Sequence, residues 1–338
     1  MTISDSLKQY AGSIGFPRSA AMERILEILF DEDDDAKLAQ AMPGTLPDLV
    51  KKTGWDENHV KKVIGKLSSR GAIGNKMDNP DLFRMFPAMI ELRDMTVVTW
   101  KEAPQELFEL WEKVITNETA TFLAKVKKMK IPPMVRVIPV DHSIESGGSI
   151  LDVDSARKIF RDAELISAGP CACRLQAKKN GKGQDCPAPE NSVCMGVNGF
   201  AEHFLESGIG EILTNKEALK RVGDAEDAGL VHSVRNNIQK DMFMCNCCSC
   251  CCTGLYFINQ LDYPGAYAPS RFRVKLDSET CTQCGTCIER CRFNAITMDD
   301  DTPIDLDKCY GCGNCVITCP EEALSMEEIR PIEHIRHT

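Results

Sequence analysis

Near the end of the chain two cysteine runs repeat one spacing: Cys281-x2-Cys284-x2-Cys287-x3-Cys291, then Cys309-x2-Cys312-x2-Cys315-x3-Cys319-Pro320. Three thiolates on one tight loop reach three irons of a cubane, but the same loop cannot reach the fourth, which takes its ligand from the other run. The spacing therefore predicts two [4Fe-4S] clusters. Cys281, Cys284, Cys287 and Cys319 hold one, and Cys309, Cys312, Cys315 and Cys291 hold the other. The crossing ties the two halves into a single fold. Gly285, Gly311 and Gly313 are expected at positive φ, where a loop wrapped this closely turns its amides toward sulfur. Zinc sites favour paired Cys-x2-Cys hooks, which weighs against a zinc or disulfide framework here.

Residues 281–319 resemble a bacterial two-cluster ferredoxin, with Ala295-Ile296 and Ala323-Leu324 in matching places after the two runs. The resemblance implies a ferredoxin-like domain that moves single electrons. In one departure Cys291 is followed by Arg292, whereas Cys319 is followed by the expected Pro320, so the turn after the first run is expected to differ.

The remaining composition limits the partners. A net charge of −10 argues against general affinity for nucleic acid or anionic membrane, and favours a basic or cation-rimmed protein. No run of about 18 apolar residues is present, so no membrane span is expected. The opening Met1-Thr2-Ile3-Ser4-Asp5 lacks the order of a secretory signal, and a cytoplasmic location is expected. Eighteen cysteines, clustered rather than dispersed, point to a reducing, oxygen-poor compartment.

The chain reads as α+β in four parts: a winged-helix-like domain at 1–95, an amphipathic linker helix at 96–133, a mixed α/β cysteine-rich domain at 134–268 and a ferredoxin-like two-cluster domain at 269–338. In the first part Ala20 to Phe30 has helical apolar spacing, and the acidic run 31–35 reads as a solvated loop. Leu46 opens a second helix, Asp56 caps a third that runs to about Ser69, and 71–83 suits a wing. This pattern resembles a winged helix-turn-helix. Lys61, Lys62, Lys66 and Arg70 on its third helix could meet phosphates, but the acidic run nearby makes DNA the lesser expectation against protein docking. Pro104 to about Lys130 reads as one long amphipathic helix.

A second metal-binding region holds Cys171, Cys173, Cys186 and Cys194, with Asp154 expected to cap a helix ahead of it. If extended, Cys171 and Cys173 project to one side. Six more cysteines crowd into eight residues, Cys245-Asn-Cys247-Cys248-Ser-Cys250-Cys251-Cys252; if the later part is helical, Cys248, Cys251 and Cys252 share a face. These ten thiols suffice for two more [4Fe-4S] clusters, four in all. One arrangement pairs Cys171, Cys173, Cys186 and Cys194 in one site, with a subset of Cys245, Cys247, Cys248, Cys250 and Cys251 in another. A rival arrangement mixes the two regions, and zinc at Cys171/Cys173/Cys186/Cys194 is a third. His232 reads as a core histidine rather than a ligand. The overall arrangement is similar to multi-cluster iron–sulfur proteins of anaerobes that accompany larger oxidoreductases.

No Gly-x-Gly-x-x-Gly, Walker-type, radical S-adenosylmethionine or haem-attachment motif is present. The expected function is one-electron transfer between a redox partner, such as a flavoprotein, and an oxidoreductase, with possible oligomerisation. The alternatives are a cluster-sensing DNA-binding regulator and a reductase acting at the middle cysteines.

Overall fold

The computed structural model describes residues 3–76, 79–144, 154–189, 194–237, 243–298 and 303–336. The chain divides into two compact units, the first comprising Met1–Met129, Cys171–Lys182 and Ser207–Ile209, the second Lys130–Pro170, Gly183–Glu206 and Gly210–Thr338.

The first unit is helical, with one hairpin. Ser19 caps the Ala20–Leu29 helix by accepting from the Met22 amide, and that helix buries Met22, Ile25, Leu26 and Leu29. Thr45 and Asp48 form a capping box for Leu46–Thr53, which Gly54 ends in the left-handed conformation. Asp56 caps Glu57–Ser69, as the sequence predicts. Strands β1 (Ile73–Lys76) and β2 (Asn79–Met85) then pair antiparallel across the expected wing, of which residues 77 and 78 lie outside the described residues. The apolar faces meet in one core containing Leu26, Leu38, Leu49, Val60, Leu67, Leu92, Phe108 and Trp111.

Two expectations in this unit are corrected. The acidic run is not a loop: Asp33–Ala41 is a helix, and Asp33, Asp34 and Asp35 sit in its first turn against the positive end of its dipole. Asp35 is fully buried and pairs with Lys66 at 2.7 Å, while its carboxylate accepts the Glu32 amide at 3.1 Å. The long amphipathic helix is interrupted in character, running as Gln105–Lys113, a π-helical turn at Val114–Glu118, then Thr119–Met129. Thr119 causes this locally, since its amide and its hydroxyl both donate to the Val114 carbonyl five residues back. The Ala172–Lys179 helix packs on the same core through Ala172 and Leu175.

The second unit is built on a six-stranded sheet. In chain order its strands are β3 (Val135–Val137), β4 (Ile166–Gly169), β5 (Cys194–Val197), β6 (Glu211–Ile212), β7 (Val231–Arg235) and β8 (Phe243–Cys247). Their spatial order is β3-β7-β8-β5-β4-β6, and every pair is antiparallel. Helices Ala156–Arg161 and Asn215–Asp227 supply Phe160, Ala218 and Val222 to a core with Ile166, Met195, Val234 and Met244. Asp154 does not cap the first of these helices. Ser155 does, accepting from the Lys158 amide, while Asp154 is buried against Arg271 at 3.3 Å and Arg136 at 3.8 Å. The C-terminal part closes with β9 (Phe272–Leu276) and β10 (Leu324–Glu328), paired antiparallel from Phe272–Glu328 to Leu276–Leu324.

Candidate metal centres

The two cysteine runs lie between β9 and β10, so pairing those strands brings the start of the first run to the end of the second. Cys281, Cys284, Cys287 and Cys319 line one cavity of about 130 Å³. Cys291, Cys309, Cys312 and Cys315 line a second, tighter cavity of about 20 Å³, walled by Phe293 and Tyr310, whose rings stack at 4.4 Å. Each cavity therefore gathers three cysteines of one run and the fourth of the other, a four-thiol set of the kind a cubane takes. Gly285, Gly311 and Gly313 all have positive φ. At Gly311 a Cβ would lie 2.0 Å from the Phe272 carbonyl oxygen, so no other residue fits without moving β9.

Amides reach the sulfurs as such loops require: Gln283 N–H donates to Cys281 Sγ at 3.4 Å, and Ala295 N–H to Cys291 Sγ at 3.3 Å. In the first cavity burial raises the pKa of Cys287, but not every thiol there is buried. Cys284 is exposed, and its hydrogen bond with the Thr286 hydroxyl lowers its pKa. In the second cavity burial pushes Cys312 up to about 12 and raises Cys291 and Cys315 as well. A cationic iron core would remove that penalty by binding the thiolates directly.

Arg292, where the ferredoxin pattern has proline, acts as an anchor. Its Nε donates to Gly229 O at 2.9 Å and its Nη2 to Ala228 O at 3.2 Å. Arg290 donates to Asp227 O at 3.0 Å and Glu226 O at 2.9 Å. These four carbonyls lie in the last turn of the Asn215–Asp227 helix and just beyond it, where the dipole is negative. Two guanidinium groups flanking Cys291 thus hold the end of the first run against the middle of the chain. No local signal in the sequence marks this role, because the acceptors are backbone atoms more than 60 residues away.

The middle cysteines fall in three places. Cys171 occupies the N-cap of Ala172–Lys179 and Cys173 its first turn, so the chain there is not extended. Pro170, which has no N–H to donate, follows the last residue of β4 and ends the ladder. Arg93, 1% exposed, donates to Cys173 Sγ at 3.3 Å and to Gln176 at 3.4 Å, and pairs with Asp94 at 2.9 Å. Its charge also acts on Cys171. Sequence reasoning missed Arg93, which lies 80 residues before Cys173.

Cys194 opens β5 opposite Gly169, and Cys245 and Cys247 lie on β8 opposite Ser233 and Val231. Cys247 and Cys252 approach the buried Tyr267 hydroxyl at 3.6 and 3.2 Å. The crowded run is therefore strand through Cys247 and then a turn. The helix begins only at Thr253, with Cys252 as its N-cap, so Cys248, Cys251 and Cys252 do not share a helical face.

In the third place Cys186, Cys248, Cys250 and Cys251 bring their sulfurs within 4.8 Å of one another, which joins the two middle regions. Burial and the neighbouring thiols push Cys250 up to about 12; the hydrogen bond with Cys248, and then burial, raise Cys251 further. His232 is buried on β7, bonded through Nδ1 to Asn246 Oδ1, with Nε2 3.5 Å from Glu226.

Residues 280–323 match the family model of the 4Fe-4S dicluster domain. No curated protein and no solved structure matches the chain significantly. The matched segment carries all eight cysteines of the two cavities, so the C-terminal part is an iron–sulfur dicluster module and the chain has the marks of an iron–sulfur electron-transfer protein. Among the described residues no helix is long and apolar enough to cross a membrane.

Proposed function

We propose that this protein carries single electrons through two [4Fe-4S] clusters in residues 281–319, between a redox protein such as a flavoprotein and a larger oxidoreductase. The observation that carries this reading is the sorting of the eight cysteines into two four-thiol cavities inside the segment that matches the dicluster domain. The cluster at Cys281, Cys284, Cys287 and Cys319 is the outward station, because Cys284 is exposed while Cys315 in the other cavity is buried. A bound cluster supplies a reversible one-electron couple, and the chain's amides and burial set its potential within the wide range open to such centres. A further iron–sulfur centre is proposed at Cys171 and Cys173, where the buried guanidinium of Arg93 offers the countercharge an anionic cluster needs.

The N-terminal helices and hairpin are proposed as a winged-helix-like docking module for protein rather than DNA. Lys61 pairs with Glu57, Lys66 with Asp31, Glu32 and Asp35, and Arg70 with Asp31, so three of the four basic residues on that helix, all but Lys62, are engaged with carboxylates rather than left for phosphates. The test is iron, acid-labile sulfide and electron throughput on anaerobically purified protein. The module alone accounts for about 8 irons, and two further clusters on eight of the ten middle thiols would raise this to about 16. Cys281→Ala and Cys309→Ala should each remove about four irons and stop electron flow to an artificial acceptor. Unchanged iron and throughput in both variants would sink the proposal.

A further inference from the structure

Ten cysteines lie outside the dicluster module, and among the described residues four of them converge from separate parts of the chain. Cys186 comes from the loop after Gly183, while Cys248, Cys250 and Cys251 come from the turn that follows β8. Cys186 and Cys248 sulfurs are 3.3 Å apart, Cys250 and Cys251 sulfurs 3.6 Å apart, and all four lie within 4.8 Å of one another. A tetrahedral ion with metal–sulfur bonds of about 2.3 Å sets its thiolates about 3.8 Å apart. A cubane asks for something different, because each thiolate binds a different iron at a corner of the core, and the four sulfurs stand on a wider tetrahedron.

The spacing along the chain agrees. The module's loops separate successive ligands by two residues, as at Cys281, Cys284 and Cys287. Cys248-x-Cys250-Cys251 instead puts three thiols on four residues, two of them adjacent, a compact grip suited to a single ion. Four sulfurs and no oxygen donor select a soft cation over magnesium or calcium.

We propose that Cys186, Cys248, Cys250 and Cys251 bind one thiophilic divalent cation of the zinc class, as a structural centre outside the electron path. With four protein ligands the ion has no open position for substrate. Binding exchanges the thiol protons for metal–sulfur bonds and releases those protons to solvent, with no change in oxidation state. Around the quartet the apolar packing is small: Ala225, Leu230 and Cys248 are buried, with Cys186, Ala188, Ala228 and Cys251 against them. The ion therefore staples two turns that have little core of their own to the end of the Asn215–Asp227 helix. The inference is independent of the electron-transfer reading, which rests on other cysteines.

The experiment is zinc, iron and sulfide analysis of the anaerobically purified full chain, its Cys250→Ser and Cys250→His variants, and the wild type reloaded with cobalt(II). Cys250 is exposed, so its replacement tests the site with little risk to folding. The expected result is one zinc per chain in the wild type, loss of that zinc to a chelator in Cys250→Ser, and retention in Cys250→His, which keeps a ligand. Iron, sulfide and cluster electron paramagnetic signals stay unchanged in both variants, and cobalt-loaded protein gives a thiolate-to-cobalt charge-transfer band that Cys250→Ser lacks. Iron and sulfide falling together in Cys250→Ser would overturn the proposal in favour of a cluster. Wild type that holds no zinc and gives no cobalt band would overturn it outright. Failure of the electron-transfer reading would show instead in Cys281→Ala.

Discussion

Replacing Arg292 by alanine should loosen the dicluster module from the helix it grips without emptying either cavity. The side chain makes two bonds, to Gly229 O at 2.9 Å and Ala228 O at 3.2 Å, and it is half-buried. A hydrogen bond to a charged group contributes about 1.5–3 kcal/mol, and the partial exposure and longer second bond reduce the pair to about 2 kcal/mol in total. Arg290 adds less, because burial of its guanidinium opposes its two bonds and lowers its pKa. The double variant should lose about 3 kcal/mol rather than a full sum, since both side chains serve one helix end. With a urea slope of about 3 kcal/mol per molar, Arg292→Ala shifts the unfolding midpoint down by about 0.7 M. Arg292→Pro installs the residue that follows Cys319 in the second run but not the anchor, and should match the alanine variant. Anaerobic urea titration followed by cluster absorbance and far-ultraviolet circular dichroism reads the shift, with iron content confirming intact clusters. A midpoint for Arg292→Ala within about 0.2 M of wild type would refute the anchoring argument.

Three further outcomes are expected. Gly311→Ala must move either its own loop or β9, since its Cβ would meet Phe272 O at 2.0 Å, so iron analysis should show loss of the second cluster's iron while Cys284→Ser loses only the first. Burial opposes ionisation of Glu226, but the imidazole of His232 at 3.5 Å and the Arg157 guanidinium at 2.7 Å outweigh it and hold its pKa below the ordinary value. A carboxylate with a depressed pKa stabilises the fold above its unfolded pKa of about 4.3 and loses that contribution as pH falls through the folded value; Glu226→Gln should flatten the fall in unfolding midpoint below about pH 5, and an unchanged slope would discard the assignment. Arg93→Met, which keeps the bulk and removes the charge, should lower the reduction potential of any cluster bound at Cys171 and Cys173, read by redox titration, with the module's potentials unmoved.

What the sequence disclosed followed the range of each signal. The helix cap at Asp56 and the apolar spacing from Ala20 to Phe30 mark helices that form, and the ferredoxin spacing identifies which cysteines share a cavity because three ligands sit on one loop and the fourth follows from the crossing of the two runs. The acidic run misled because a string of like charges reads as solvated, whereas Lys66 and the helix dipole absorb it. Asp154 misled because Ser155, one residue on, makes the better cap once Arg271 draws the carboxylate inward. In the middle region spacing alone left several pairings open. Which thiols meet there depends on how β8 ends and where the Cys186 loop returns, and both are set by tertiary packing.

The crossing of the two runs also bears on how the protein is made. Synthesis exposes Cys281, Cys284 and Cys287 first, yet their cavity waits for Cys319, after the second cavity already has Cys291, Cys309, Cys312 and Cys315. The site encoded first is thus completed last, and β10, which locks the module to β9, emerges later still. A nascent chain stalled between Cys315 and Cys319 presents one full thiol set and one open set, so a maturation system meeting the growing chain would find the inner site ready before the outer one.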